Sequence, residues 1–153
     1  MLFEHFRPYG YTRYLGIDLS SAASGKLAGV RDDRTSFICS DAATFAPAER
    51  FDAIVFNEIL YYLHAPLDVF ARYSDALNER GIIVVSTYLS SWRARGILRQ
   101  LRELYLLVDE TRVTHGRKAW MCSVFAPKAA LQTNPGSRVA DGRTRDPGNL
   151  SVA

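Results

Sequence analysis

The sequence predicts an α/β fold: a mostly parallel sheet with helices on both faces, completed by a C-terminal antiparallel hairpin. Three observations carry this expectation. Short apolar runs alternate with stretches that repeat apolar residues at helical spacing, the pattern of parallel strands joined by right-handed helical crossovers. Two of the runs, Tyr14–Leu19 and Phe51–Phe56, contain or lead into acidic side chains at strand carboxyl ends, where open α/β sheets bind ligands. Near the end, Asp109–His115 and Ala119–Phe125 flank Gly116-Arg117-Lys118, which reads as a hairpin.

Composition narrows the class. At 153 residues the chain is one domain, long enough to bury a core, and 48% apolar with 23% charged content is ordinary for a globular protein. A net charge of +3 is mild, and a dedicated nucleic-acid reader concentrates its basic residues, so no nucleic-acid partner is expected. Cys39 and Cys122 lie too far apart for a CxxC pair and form no disulfide framework; apolar surroundings suggest buried free thiols. No apolar run approaches the roughly 18 residues that span a bilayer, and Met1–Arg7 lacks the order of a secretion signal. A cytoplasmic protein without a membrane partner is the expectation.

The elements follow in order. Leu2, Phe3 and Phe6 have helical spacing until Pro8 and Gly10 break it, so residues 2–9 read as the tail of a helix. Tyr14–Leu19 is a buried strand, Ser20–Leu27 a helix capped by Ser20 or Ser21, and Ser36–Cys39 a short strand ending at Ser40-Asp41-Ala42. Phe51–Phe56 is the clearest strand, rich in β-branched and aromatic residues. Leu67, Val69, Phe70, Tyr73 and Leu77 mark an amphipathic helix that Arg80-Gly81 closes, and Ile82–Tyr88 is a fully apolar strand. Trp92–Val108 reads as a longer helix, with Arg93, Arg95, Arg99 and Arg102 on its solvated face. From Ala129 onward large apolar residues nearly vanish, so 129–153 is expected to be a disordered tail.

The chemistry-bearing residues cluster at strand ends. An aspartate after an apolar strand suits a ribose diol, and in dinucleotide folds it comes roughly 20 residues after a glycine-rich turn. Counting back from Asp18 reaches the start of the chain, and none of the ten glycines follows an apolar run in the right place. Asp41 closes the next strand, with room between the two aspartates for one crossover helix. Either aspartate alone equally suits a helix cap, and Glu58 equally suits a solvated helix start. His64, before Ala65-Pro66, suits a turn residue or an acceptor-site base. Neither a Tyr-x-x-x-Lys pair nor a Gly-Lys-Ser/Thr phosphate loop is present.

Asp18, Asp41-Ala42, Asn57-Glu58 and the closing hairpin together resemble class I S-adenosylmethionine-dependent methyltransferases over residues 2–127. The phrase Phe51–Leu63 is the most family-like, similar to small-molecule methyltransferases including bacterial nodulation-factor N-methyltransferases. The resemblance implies a Rossmann-like sheet of order 3-2-1-4-5-7-6 whose first, central strand and glycine loop are missing here. Residues 1–128 are then a partial methyltransferase domain, from a start assigned too far downstream, a truncated gene, or a binding relic. It implies S-adenosyl-L-methionine as cofactor. Asp18 would hold its ribose, Leu19 would lie against adenine, Asp41 and the Ala42 amide would meet the adenine edge, and Asn57 would line the methionine side. Glu58 and His64 are the implied candidate bases, with Tyr61 near the acceptor, and no metal is implied. The implied activity is methyl transfer to a small-molecule acceptor, impaired in a chain lacking the loop. The alternative is a non-catalytic Rossmann-like binding or regulatory module.

Overall fold

The computed structural model describes residues 2–22, 32–128 and 151–152. Its helices are α1 (Leu2–Phe6), α2 (Pro66–Ser74) and α3 (Trp92–Leu104). Its strands are β1 (Arg13–Asp18), β2 (Thr35–Cys39), β3 (Phe51–Asn57), β4 (Leu77–Tyr88), β5 (Leu106–His115), β6 (Lys118–Ala126) and β7 (Ser151–Val152). One seven-stranded sheet runs in the order β2-β1-β7-β3-β4-β6-β5. The pairs β2–β1, β1–β7, β7–β3 and β3–β4 are parallel; β4–β6 and β6–β5 are antiparallel. The expected Rossmann-like architecture with its closing hairpin is therefore present.

Apolar patterning explains the layers. Along β3, Phe51, Ala53, Ile54 and Phe56 are all buried, as expected of a parallel strand covered on both faces. α2 buries Val69, Phe70 and Tyr73, and α3 buries Ala94, Ile97, Leu98 and Leu101. Phe70, with no exposed surface, is the hub of the main core. Its ring stacks on Phe56 at 5.8 Å and meets Tyr105 at 4.6 Å and Phe125 at 5.9 Å edge-on. A second cluster of Tyr11, Tyr14 and Phe37 lies beside β1 and β2.

Several sequence expectations need correction. The helix expected over Leu67–Leu77 stops at Ser74, and Leu77 already belongs to β4. Arg80-Gly81 is no helix cap but part of an irregular stretch, where pairing shifts between Phe51↔Leu77 and Ala53↔Ile82. A Cβ on Gly81 would come within 2.9 Å of the Leu77 Cβ and 3.0 Å of the Phe51 carbonyl oxygen, so glycine permits the close approach. The helix expected over Trp92–Val108 ends at Leu104. Tyr105 is extended (φ −118, ψ 164) and Leu106–Leu107 pair with Ala126–Phe125 in the hairpin. The expected buried thiols are not found: Cys39 is exposed and Cys122 half-buried.

The chain's C-terminal segment also differs from expectation. Of the expected tail, residues 129–150 and 153 lie outside the described residues, as do 23–27 of the helix expected over Ser20–Leu27. Ser151–Val152 take the central position left between β1 and β3, pairing with Arg13–Tyr14 on one side and Ala53 on the other. The physical reason is the cost of unpaired backbone groups along two inner strand edges. No helix among the described residues is long and apolar enough to cross a membrane.

Candidate functional site

The C-terminal ends of β1, β2, β3 and β4 form one rim. Asp18 pairs with Cys39 across β1 and β2, and the Asp18 carbonyl accepts the Ser40 N–H at 3.0 Å. Asp41 therefore emerges directly beyond the neighbouring strand. One oxygen of each carboxylate serves the local backbone: Asp18 Oδ1 accepts from Ser20 N (2.8 Å) and Asp41 Oδ1 from Ala43 N (2.7 Å). Both are short side-chain turns that hold the aspartates in place. No hydrogen bond to the second oxygen of either is formed among the described residues. Leu19, 67% exposed, leaves an apolar surface beside Asp18, whereas Ala42 is buried.

The Asp41 turn is fixed from the far side by residues that sequence reasoning missed. Arg72 of α2 donates to the Ala42 carbonyl at 3.1 Å and the Ala43 carbonyl at 2.6 Å, and Tyr73 Oη donates to Ala42 at 3.3 Å. The Arg72 guanidinium also lies 5.8 Å from the centre of the Tyr73 ring. Burial pushes the Tyr73 phenol above its ordinary pKa, keeping it a neutral donor. The only advance signal would have been an arginine beside a core tyrosine on one helix, and that names no partner.

Asn57, exposed, ends β3 opposite Ser86 of β4. Glu58 follows with φ +58, the only non-glycine residue with positive φ among the described residues. Such a backbone is unfavourable for glutamate unless its surroundings hold it, and here they do. The Glu58 N–H donates to the Ser86 carbonyl at 3.1 Å. Its carboxylate accepts from Tyr61 Oη (2.7 Å), Ser86 Oγ (2.7 Å) and Tyr88 N (3.0 Å). Burial and the hydrogen bond to Glu58 raise the Tyr61 phenol pKa well above its ordinary value.

His64 is exposed and joins Asp68, Trp92, Ile97 and Gln100 around an open groove of about 370 Å³ between the first turns of α2 and α3. No hydrogen bond links His64 to Glu58 among the described residues, so these two candidates do not form a pair. Arg93, Arg95, Arg99 and Arg102 are exposed, as the sequence predicts. Arg93 in addition donates to the Tyr61 (3.1 Å) and Leu63 (2.6 Å) carbonyls and ties this segment to α3. Arg95 donates to the Leu89 carbonyl, and Arg102 pairs with Glu110 at 2.6 Å.

The rim thus offers fixed acceptors at the ends of two adjacent strands and, next to Asp18 in the chain, an exposed apolar side chain. These suit an adenosine, whose ribose hydroxyls and exocyclic amine are donors. Among the described glycines, Gly16 and Gly81 lie inside β1 and β4, with Gly16 packed against the Phe37 ring, and Gly10, Gly96 and Gly116 lie off the rim, so none of these five cradles a carboxylate there. A family model for a methyltransferase domain matches residues 1–128. The chain belongs to that family. The methyltransferase fold is shared with the N-methyltransferase NodS of Bradyrhizobium japonicum WM9, crystallised with S-adenosyl-L-homocysteine. The two have a TM-score of 0.66 and 21% identity, covering 76% of this chain and 67% of that one. The 1,6-didemethyltoxoflavin-N1-methyltransferase of Burkholderia thailandensis superposes with a TM-score of 0.68 at 19% identity. That match covers 82% of this methyltransferase-family chain and 65% of the other. An rRNA methylase of Streptococcus thermophilus shares the fold with a TM-score of 0.57 at 16% identity, covering 75% of this chain and 73% of its own. No curated protein matches the chain in sequence.

Proposed function

We propose that this methyltransferase-family chain binds S-adenosyl-L-methionine on the β1–β4 rim and directs its methyl group to a small-molecule acceptor. The observation that carries the reading is the placement of Asp18 and Asp41 at the ends of adjacent parallel strands, each fixed by its own backbone turn. Asp18 accepts from the ribose hydroxyls. Leu19 covers one adenine face, Asp41 accepts from the exocyclic amine, and the Ala42 amide meets a ring nitrogen. Asn57 lines the methionine side. The donor supplies an activated sulfonium methyl, so the protein's work is binding, orientation and exclusion of water. The solved neighbours that carry S-adenosylhomocysteine, among them NodS and the 1,6-didemethyltoxoflavin-N1-methyltransferase, support the choice of donor.

The test is calorimetric titration of the full chain with S-adenosylhomocysteine. A hydrogen bond to a charged group contributes about 1.5–3 kcal/mol, so Asp18→Ala and Asp41→Ala should each weaken binding about 10- to 100-fold. Wild-type binding unchanged by either substitution overturns the proposed site. Ser151–Val152 in the central position favours a second reading, a binding module that keeps the shell without turnover. Absence of any S-adenosylhomocysteine binding by the folded chain is the outcome that selects it.

A further inference from the structure

Glu58 stands where β3, β4 and the following 3-10 turn (Leu60–Tyr62) meet, and every group that contacts its carboxylate is a donor. A carboxylate has about four lone-pair directions. Here Oε2 holds Tyr61 Oη and Tyr88 N, and Oε1 holds Ser86 Oγ. Three of the four directions are thus committed to fixed protein donors and one on Oε1 is left, an arrangement that suits an anchor. A general base instead needs an accepting direction aimed at the proton it removes. Tyr61 has a single hydroxyl proton, and at 2.7 Å that proton is committed to Glu58. The phenolic oxygen then has only lone pairs to offer, and its hydrogen bond to an anion strengthens it as an acceptor. Tyr61 is half-buried, leans on the exposed ring of Tyr62 at 4.5 Å, and has its carbonyl held by Arg93. Its direction is therefore fixed from three sides.

We propose that Glu58 is a positioning residue for methyl transfer rather than its base. It locks Tyr61 so that the phenolic oxygen accepts a hydrogen bond from the N–H or O–H of the methyl acceptor. This rests on the methyl-transfer reading and adds to it a selection rule. Amine and hydroxyl nucleophiles are oriented by Tyr61; nucleophiles without a proton are not.

The experiment uses the full chain with Tyr labelled at Cζ, observed by carbon NMR, the Tyr61 resonance being assigned by its loss in Tyr61→Phe. Glutamine at position 58 keeps the lock. Its carbonyl oxygen takes Tyr61 and Tyr88, while its amide donates to a Ser86 hydroxyl that turns to accept. Glu58→Gln is therefore expected to leave the Tyr61 resonance near its wild-type position, and Glu58→Ala to shift it. Equal shifts in both variants, or none in either, overturn the lock. Should Glu58→Ala fail to fold, the comparison of wild type with Glu58→Gln decides, a displaced Tyr61 resonance overturning the proposal. Neutral probes then test selection with S-adenosylhomocysteine at saturation. Phenol should move the Tyr61 resonance and anisole, its methyl ether, should not. Equal response to both, or response to neither, overturns the selection rule. Loss of S-adenosylhomocysteine binding in a wild-type chain whose Glu58→Gln and Glu58→Ala pattern is as expected overturns the methyl-transfer reading and leaves the lock intact.

Discussion

Arg72→Met isolates the support beneath the Asp41 turn. Methionine keeps most of the aliphatic stem and removes the guanidinium, and with it the bonds to the Ala42 carbonyl (3.1 Å) and the Ala43 carbonyl (2.6 Å). Hydrogen bonds from a charged donor contribute about 1.5–3 kcal/mol each, but two features lower the sum. Tyr73 Oη still donates to Ala42 at 3.3 Å, and the buried Arg72 Nε has no partner among the described residues, a desolvation cost that the substitution removes. A net loss of about 2 kcal/mol results. With a urea slope of about 1–3 kcal/mol per molar, the unfolding midpoint should fall by about 1 M. S-adenosylhomocysteine affinity should fall with it, because the turn that presents Asp41 and the Ala42 amide loosens. Circular dichroism in urea and calorimetry read the two effects. A midpoint within about 0.2 M of wild type together with unchanged affinity refutes the reasoning.

Three further outcomes are expected. Val152→Pro removes the N–H of a residue that pairs with both Tyr14 and Ala53, so amide exchange should quicken along β1 and β3 relative to wild type. Equal exchange rates would deny β7 its place in the sheet. The Tyr14 phenol is pushed up to about 12 from 10.0 by burial, with Tyr11 beside it adding to the effect. The fold therefore keeps a proton that the unfolded chain releases, so stability is full below pH 10.0 and declines towards about 12. Tyr14→Phe should flatten that decline in a pH series of urea midpoints. Iodoacetamide should label exposed Cys39 before Cys122, whose thiol pKa is raised by burial, as peptide mass mapping of timed samples will show.

The parts of the molecule legible in its sequence are those set by local pattern. β1, β2 and β3 announce themselves as short apolar runs, and Asp18 and Asp41 as polar ends to such runs. Where the pattern failed, a distant partner decided. Asn78-Glu79-Arg80 looks like the end of a helix, yet it lies inside β4, in the irregular stretch between Leu77 and Ile82, which pair with Phe51 and Ala53 of β3. The apolar run Leu104–Val108 continues a helical period, but contact of Tyr105 with Phe70 and pairing of Leu106 with Ala126 turn it into β5. At the site, no spacing rule links Arg72 to Ala42 or Glu58 to Tyr88, because those bonds cross some thirty positions of chain. Glu58 was visible as a carboxylate at a strand end; that three donors surround it was not.

The sheet's architecture has a consequence for ligand-linked stability. Among the described strands, the two residues of β7 carry the backbone pairing between the β2–β1 leaf and the β3–β4–β6–β5 leaf, while Leu15 of β1 joins the Phe70 core and Val55 of β3 packs against the tyrosines and Phe37. With so short a ladder at that seam, the β2–β1 leaf is the weaker one and is expected to open first, below the global unfolding threshold. Asp18 lies on the weaker leaf and Asn57 on the stronger, with the Asp41 turn tied across to α2 by Arg72 and Tyr73, so a nucleoside gripped by all three works as a staple across the seam. Its binding energy then appears mainly as slower fraying of the weaker leaf.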